Sequence, residues 1–68
     1  METFKIKGDF IQLNQLLKVM GWCESGGNAN SYIDEGKVKV NGVVELRRRN
    51  KLAKGFVVEF NSKTVTIE

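Results

Sequence analysis

The chain has 68 residues, of which 41% are hydrophobic and 28% charged, with a net charge of +3 and no histidine. Residues 1–68 are expected to form one small α+β domain, since so short a chain supports a single modest core. No apolar run approaches the length of about 18 residues that a membrane helix needs, no secretory leader opens the chain, and the commonest catalytic base is absent. The composition predicts a non-enzymatic domain with no cofactor, metal, membrane or small-molecule substrate. The single cysteine, Cys23, has no internal disulfide partner and fits the reducing cytoplasm.

An alternating stretch and a helical pattern open the chain. Residues 3–7 (TFKIK) alternate apolar and polar side chains, which predicts a short half-buried strand. Gly8 breaks the alternation, and Asp9 is the candidate N-cap of a helix over residues 10–20. Gly21 follows as a residue that can end this helix in the left-handed conformation. The apolar face of the helix repeats at helical spacing through Leu13, Leu16, Leu17 and Met20.

A second, shorter helix is predicted over residues 26–35. Ser25 is its candidate N-cap, and Gly36 ends it. Two glycines in its first turn, Gly26 and Gly27, cost about 1 kcal/mol each relative to alanine. Its apolar face repeats through Ala29, Tyr32 and Ile33. The two helices and their glycine-containing connection predict a compact helix-turn-helix-like pair.

A hairpin signal follows the helices. Residues 37–40 alternate lysine and valine, and Asn41-Gly42 favours a type I′ turn because both residues accept positive φ. Residues 43–44 begin the return strand. Residues 47–51 are too polar and basic for a buried element, so we expect a surface excursion that Leu52 attaches to the core.

Two further strands end the chain. Residues 56–60 and 64–67 alternate apolar and polar side chains on either side of a turn at residues 61–63. The last strand can pair with the first, which would fix both termini. The element order predicts two short helices packed on a small, mainly antiparallel sheet of four to five strands.

The positive charge is concentrated between Lys37 and Lys54. This segment has seven basic residues and one acid, Glu45, for a local charge of +6, and the remainder of the chain has a charge of −3. A localised basic patch on a mildly acidic body indicates a polyanionic partner, most often nucleic acid. The alternative is a solvated basic loop that keeps a small protein soluble.

The order of these motifs resembles a known family. Leu13-x-x-Leu16-Leu17-x-x-x-Gly21, the helix opened by Ser25, and the run IDEGKVKVNG at residues 33–42 are similar to the ribosomal protein S-four-like domain, also called the alpha-L motif. The resemblance covers residues 10–60, and the chain also resembles the small stand-alone YbcJ-type members of that family. It implies a module that binds structured RNA of the rRNA or tRNA class, as a ribosome or translation accessory factor. The alternative function is a protein-interaction adaptor that binds an acidic partner.

Two of the basic residues usual in the family are missing from the helical face of this chain. Gln12 and Gly26 stand where many members have arginine, which moves the expected RNA contact to residues 47–54. The opening of the second helix still offers free N–H groups, and glycines allow a phosphate to approach. The alternative there is that Ser25 only caps the helix and the glycines relieve crowding against the first helix. The full candidate RNA-contact set is Lys18, Ser25, Gly26, Asn28, Lys37, Lys39, Asn41, Arg47, Arg48, Arg49, Lys51 and Lys54.

The sequence allows two roles for each of three apolar side chains. Trp22, between the helices, either stacks on a base or packs at the edge of the domain. Val44 and Leu46 point outward in the predicted register, so they form a dimer face or indicate a register error. A monomer is favoured.

Overall fold

The computed structural model of the protein describes residues 2–68. Within that range five strands form one mixed sheet in the order β1-β7-β6-β3-β4, and β2 and β5 form a second, small sheet. No helix in this part of the chain has the length and apolar character needed to span a bilayer. The predicted α+β architecture is confirmed. The elements are β1 (Glu2–Phe4), β2 (Ile11–Gln12), α1 (Leu13–Val19), α2 (Gly26–Asp34), β3 (Val38–Val40), β4 (Val43–Val44), β5 (Lys51–Leu52), β6 (Val57–Phe60) and β7 (Lys63–Ile67).

The large sheet joins the two ends of the chain. β1 lies parallel to β7, with Phe4 opposite Ile67, and the other neighbouring pairs are antiparallel. The Glu68 N–H donates to the Phe4 carbonyl over 2.8 Å, and the Ile6 N–H donates to the Glu68 carbonyl over 3.0 Å. The predicted pairing of the first and last strands is therefore confirmed. The predicted extent of the first strand is wrong, because β1 ends at Phe4 although the Ile6 side chain remains buried.

The core lies between one face of this sheet and the two helices. Both helices direct their predicted apolar faces inward, and alternate residues of β3, β6 and β7 meet them. Trp22 and Tyr32 are half-buried against Phe60, with ring centroids 6.3 Å and 4.9 Å from its ring. Trp22 therefore packs at the edge of the domain. Burial raises the pKa of the Cys23 thiol, partly offset by the charge of Lys63.

The start of α1 differs from the prediction. Asp9 does not cap the helix, because Ile11 and Gln12 are extended and pair antiparallel with Leu52 and Lys51. The helix therefore begins only at Leu13. Its first amides are satisfied by the chain that follows β4: the Leu13 N–H donates to the Asn50 carbonyl over 2.9 Å, and the Asn14 N–H donates to the Arg48 carbonyl over 3.0 Å.

The Asn41-Gly42 turn has the predicted geometry, with φ of 53° and 83° at its two residues. Asn41 also connects the hairpin to β6. Its backbone N–H donates to the Val57 carbonyl over 2.7 Å, and its side-chain Oδ1 accepts from the Val57 N–H over 2.9 Å. The side chain of this candidate RNA contact thus has a structural partner.

Asn41→Ala is expected to lower the free energy of unfolding by about 1–2 kcal/mol, since it removes a hydrogen bond and strains a left-handed position. Asn41→Asp keeps an acceptor oxygen and tolerates positive φ, so it should lose less than half as much. Urea denaturation measures both variants. Equal stability of Asn41→Ala and the wild type would contradict this role.

Candidate nucleic-acid interface

The segment between β4 and β5, residues 45–50, is named here the basic loop. It is exposed, as predicted, but it is fixed at several points. Its Arg48 and Asn50 carbonyls accept from the first amides of α1, the Asn50 N–H donates to the Arg47 carbonyl over 3.2 Å, and the Asn50 side chain donates to Glu45 over 3.2 Å. Leu52, with no exposed surface, attaches the following strand to the core as expected. The loop therefore presents its arginines from a defined backbone.

Two of the three consecutive arginines form ion pairs. Arg47 donates to both carboxylate oxygens of Glu45, over 2.9 Å and 3.1 Å. Arg48 reaches α2 and donates to both oxygens of Asp34, with 2.9 Å between its Nε and the carboxylate Oδ1. The Arg48–Asp34 pair is solvent-exposed, and exposed pairs contribute little to stability, whereas the Glu45 side chain of the other pair is only 14% exposed. A phosphate could replace the Asp34 carboxylate at small cost, whereas Glu45 also accepts from the Arg47 N–H and the Asn50 side chain.

Arg49 takes a different direction from its neighbours. It lies beside the two helices and lines a shallow depression with five residues of α1, α2 and their flanks, named here the helix groove; these are Gln12, Asn14, Gln15, Lys18 and Gly26. The lining contains two cationic groups and no acid. Neither Lys18 nor Arg49 forms an ion pair within residues 2–68. The groove therefore has a net positive charge that is available to an anion.

The opening of α2 forms one wall of the helix groove. The Ser25 Oγ accepts from the Asn28 N–H over 3.1 Å, which confirms the predicted cap, and the Asn28 side chain accepts from the Glu24 N–H over 3.3 Å. These two candidate side chains thus hold the helix end together. A Cβ on Gly26 would meet no atom within 4 Å, so crowding against α1 does not explain this glycine. The space beside it is open.

The other basic candidates lie elsewhere. Lys37 and Lys39 line a separate groove with Glu59, and Lys37 also pairs with Glu35 over 3.3 Å. Lys51 lies over the ring of Phe10, with 4.9 Å from its Nζ to the ring centroid. Lys54 is exposed in the turn after β5. The basic residues between Lys37 and Lys54 therefore lie on several different surfaces. The two basic residues that share a depression with Gly26 are Lys18 and Arg49.

Sequence reasoning missed the polar wall of the helix groove. Gln15 and Lys18 lie off the apolar face of α1, and Gln12 precedes them at the same spacing of three residues, which is a signal for a shared polar face. It also missed Asp34 as the partner of Arg48, since nothing local links residues 14 positions apart. The Asn14 amide donates to the Asn30 side chain over 3.1 Å and ties the start of α1 to α2.

The two arginine–carboxylate pairs predict that the free energy of unfolding decreases slightly at acidic pH. Hydrogen bonding by Arg48 lowers the pKa of Asp34, and hydrogen bonding by Arg47 lowers the pKa of Glu45. Lowered folded-state pKa values stabilise the fold above the ordinary carboxyl pKa, and this stability is lost as the pH falls through the lowered values. The double variant Asp34→Asn, Glu45→Gln should therefore show a smaller loss of unfolding free energy between about pH 5 and pH 2 than the wild type. Urea denaturation across this range measures it, and an unchanged pH dependence would contradict the assignment.

Comparison with known proteins now identifies the family. The S4 domain profile matches residues 4–68 of the chain. The chain belongs to the S4 domain family. This S4 domain is 44% identical over 68 residues to "Putative RNA-binding protein YbcJ" of Escherichia coli (strain K12), a match that covers 98% of this chain and 97% of YbcJ. It has the same identity and coverage with "Uncharacterized protein YbcJ" of Shigella flexneri.

A solved structure shows the same architecture. The solution structure of YbcJ from E. coli, described as revealing an αL motif involved in RNA binding, matches this S4 domain with a TM-score of 0.74 and 44% identity. The match covers 98% of this chain and 86% of that one. The family and the YbcJ likeness expected from the sequence are both confirmed.

Proposed function

We propose that this S4 domain is a non-catalytic module that binds structured RNA through the helix groove and the adjoining basic loop. The observation that carries the proposal is the convergence of Lys18 from α1, Gly26 at the start of α2 and Arg49 from the basic loop on one acid-free depression. The RNA-binding description of YbcJ, 44% identical over 68 residues, supports the ligand class.

The chemistry of the helix groove suits a phosphate backbone. Arg49 can bind a phosphate in bidentate geometry, and Lys18 provides a compact point charge beside it. The first N–H groups of a helix have no partner within the helix, and the open space at Gly26 lets a phosphate oxygen approach them. Arg48 extends the surface, because its exposed carboxylate partner, Asp34, is a weak competitor for the guanidinium group.

The finer parts of the proposal concern the RNA and its context. The backbone-directed groups favour recognition of RNA shape, which suits folded RNA of the rRNA or tRNA class. In that context the S4 domain would act as a ribosome or translation accessory factor in the cytoplasm. The buried, unpaired Cys23 thiol supports a reducing compartment.

Binding measurements at several salt concentrations test the proposal. A folded RNA hairpin should bind more tightly than a DNA duplex of the same length, and log K should fall linearly with log salt concentration. An affinity that is equal for the two, or that is insensitive to salt, would contradict it. If the partner is instead an acidic protein, that protein should co-purify with this domain from lysate both before and after nuclease treatment.

A further inference from the structure

Another groove lies at the N-terminal side of the domain. It is lined by residues from the end of β1 to the start of β2, namely Phe4, Lys5, Ile6, Lys7, Phe10 and Ile11, and is named here the N-terminal groove. Its volume of about 370 Å³ is within the range of small-ligand sites. Phe10 is 44% exposed, so one aromatic side chain presents much of its surface to the solvent.

Cationic groups surround this aromatic surface. The exposed Lys5 and Lys7 are part of its lining, and the Lys51 Nζ lies 4.9 Å from the centroid of the Phe10 ring. No acidic side chain contributes to the lining among the residues that the structure describes. An aromatic platform with a lysine rim is complementary to a nucleobase and its flanking phosphates.

The N-terminal groove and the helix groove are lined by consecutive residues of β2. Ile11 lines the first and Gln12, the next residue, lines the second. Both residues pair with β5, in which Lys51 lies opposite Gln12. Because successive side chains of a strand point to opposite faces, an RNA bound at Arg49 and Lys18 would pass across β2 to reach Phe10.

We infer that the N-terminal groove binds one unpaired base of the RNA, stacked on Phe10, with Lys51 and the rim lysines on its flanking phosphates. The inference rests on the proposed function and specifies its substrate as a stem that carries an unpaired nucleotide. When the base enters, Lys51 moves from the ring of Phe10 to a phosphate. The contact of the base with the ring then replaces the contact of Lys51 with the ring.

Two RNA hairpins of identical stem sequence test the inference, one fully paired and one with a single bulged 2-aminopurine. Stacking of a base on an aromatic side chain should make the wild type bind the bulged hairpin roughly tenfold more tightly. Stacking should also change the 2-aminopurine fluorescence. Phe10→Leu keeps an apolar side chain but removes the ring, so it should abolish this preference, whereas Phe10→Trp should preserve it. Val19→Ala, at an exposed apolar position of α1 outside the groove, is the matched control and should keep the preference.

The outcomes separate this inference from the proposed function. Equal binding of both hairpins by the wild type, or an unchanged preference in Phe10→Leu, would overturn the Phe10 site and leave general RNA binding intact. Failure of the wild type to bind either hairpin would instead defeat the proposed function. Circular dichroism of each variant confirms that the fold is retained, as expected for a half-exposed side chain.

Discussion

Replacing Lys18 and Arg49 together by alanine is expected to weaken RNA binding by about 100-fold. Each residue supplies one charge-assisted contact in the helix groove, and such a contact contributes about 1.5 kcal/mol or more. The same double variant should lower the slope of log K against log salt by about 1.4–1.8, since two neutralised phosphates are lost. Fluorescence anisotropy with a labelled hairpin at four or more salt concentrations measures both quantities.

The double variant Lys37→Ala, Lys39→Ala is the matched control. It removes the same charge from a groove that also contains Glu59, so it should reduce RNA affinity less than tenfold. Both double variants should retain the wild-type unfolding free energy to within about 0.5 kcal/mol, because all four side chains are on the surface. Equal losses of affinity in the two double variants would indicate a diffuse charge effect and contradict the assignment to the helix groove.

Leu52→Ala is expected to destabilise the fold strongly. Leu52 has no exposed surface, and truncating a buried leucine costs about 2–5 kcal/mol. For a 68-residue domain the free energy of unfolding is roughly 3–10 kcal/mol, so this substitution would remove a large part of it. Leu52 also pairs with Ile11 and attaches the basic loop, whose carbonyls cap α1. Residual folded protein should therefore also bind RNA more weakly.

Leu46→Ala provides the comparison for this effect. Leu46 is 59% exposed at the start of the same loop, so its truncation should change the unfolding free energy by at most about 0.5 kcal/mol. Urea denaturation of both variants gives the difference. A loss below about 1 kcal/mol in Leu52→Ala would show that the loop is not attached to the core as described.

Local patterns predicted much of the fold. The apolar spacing of α1 and α2, the Ser25 cap and the positive φ of Asn41 and Gly42 each depend on residues a few positions apart, and all agree with the structure. The outward direction of Val44 was also correct, since it lies exposed opposite Lys39 on the outer face of the sheet. These features follow from side-chain periodicity and turn chemistry alone.

The remaining features depend on contacts between distant segments. Asp9 is a good cap in isolation, but β2 pairs with β5 and the carbonyls of Arg48 and Asn50 satisfy α1 instead. Three adjacent arginines are equivalent in sequence, but in the structure Arg48 pairs with Asp34 of α2, whereas Arg49 lines the helix groove. For this reason the sequence of residues 37–54 indicates an anionic partner but does not indicate which of these residues share a groove.

Amide chemical-shift mapping tests the central claim most directly. Titration of the isotope-labelled domain with a folded RNA hairpin should produce its largest shift changes at Lys18, Gly26 and Arg49, with smaller changes at Lys39 and Glu59. Changes that are largest at Lys39 and Glu59 would place the RNA on the outer face of the sheet and contradict the helix groove as the interface.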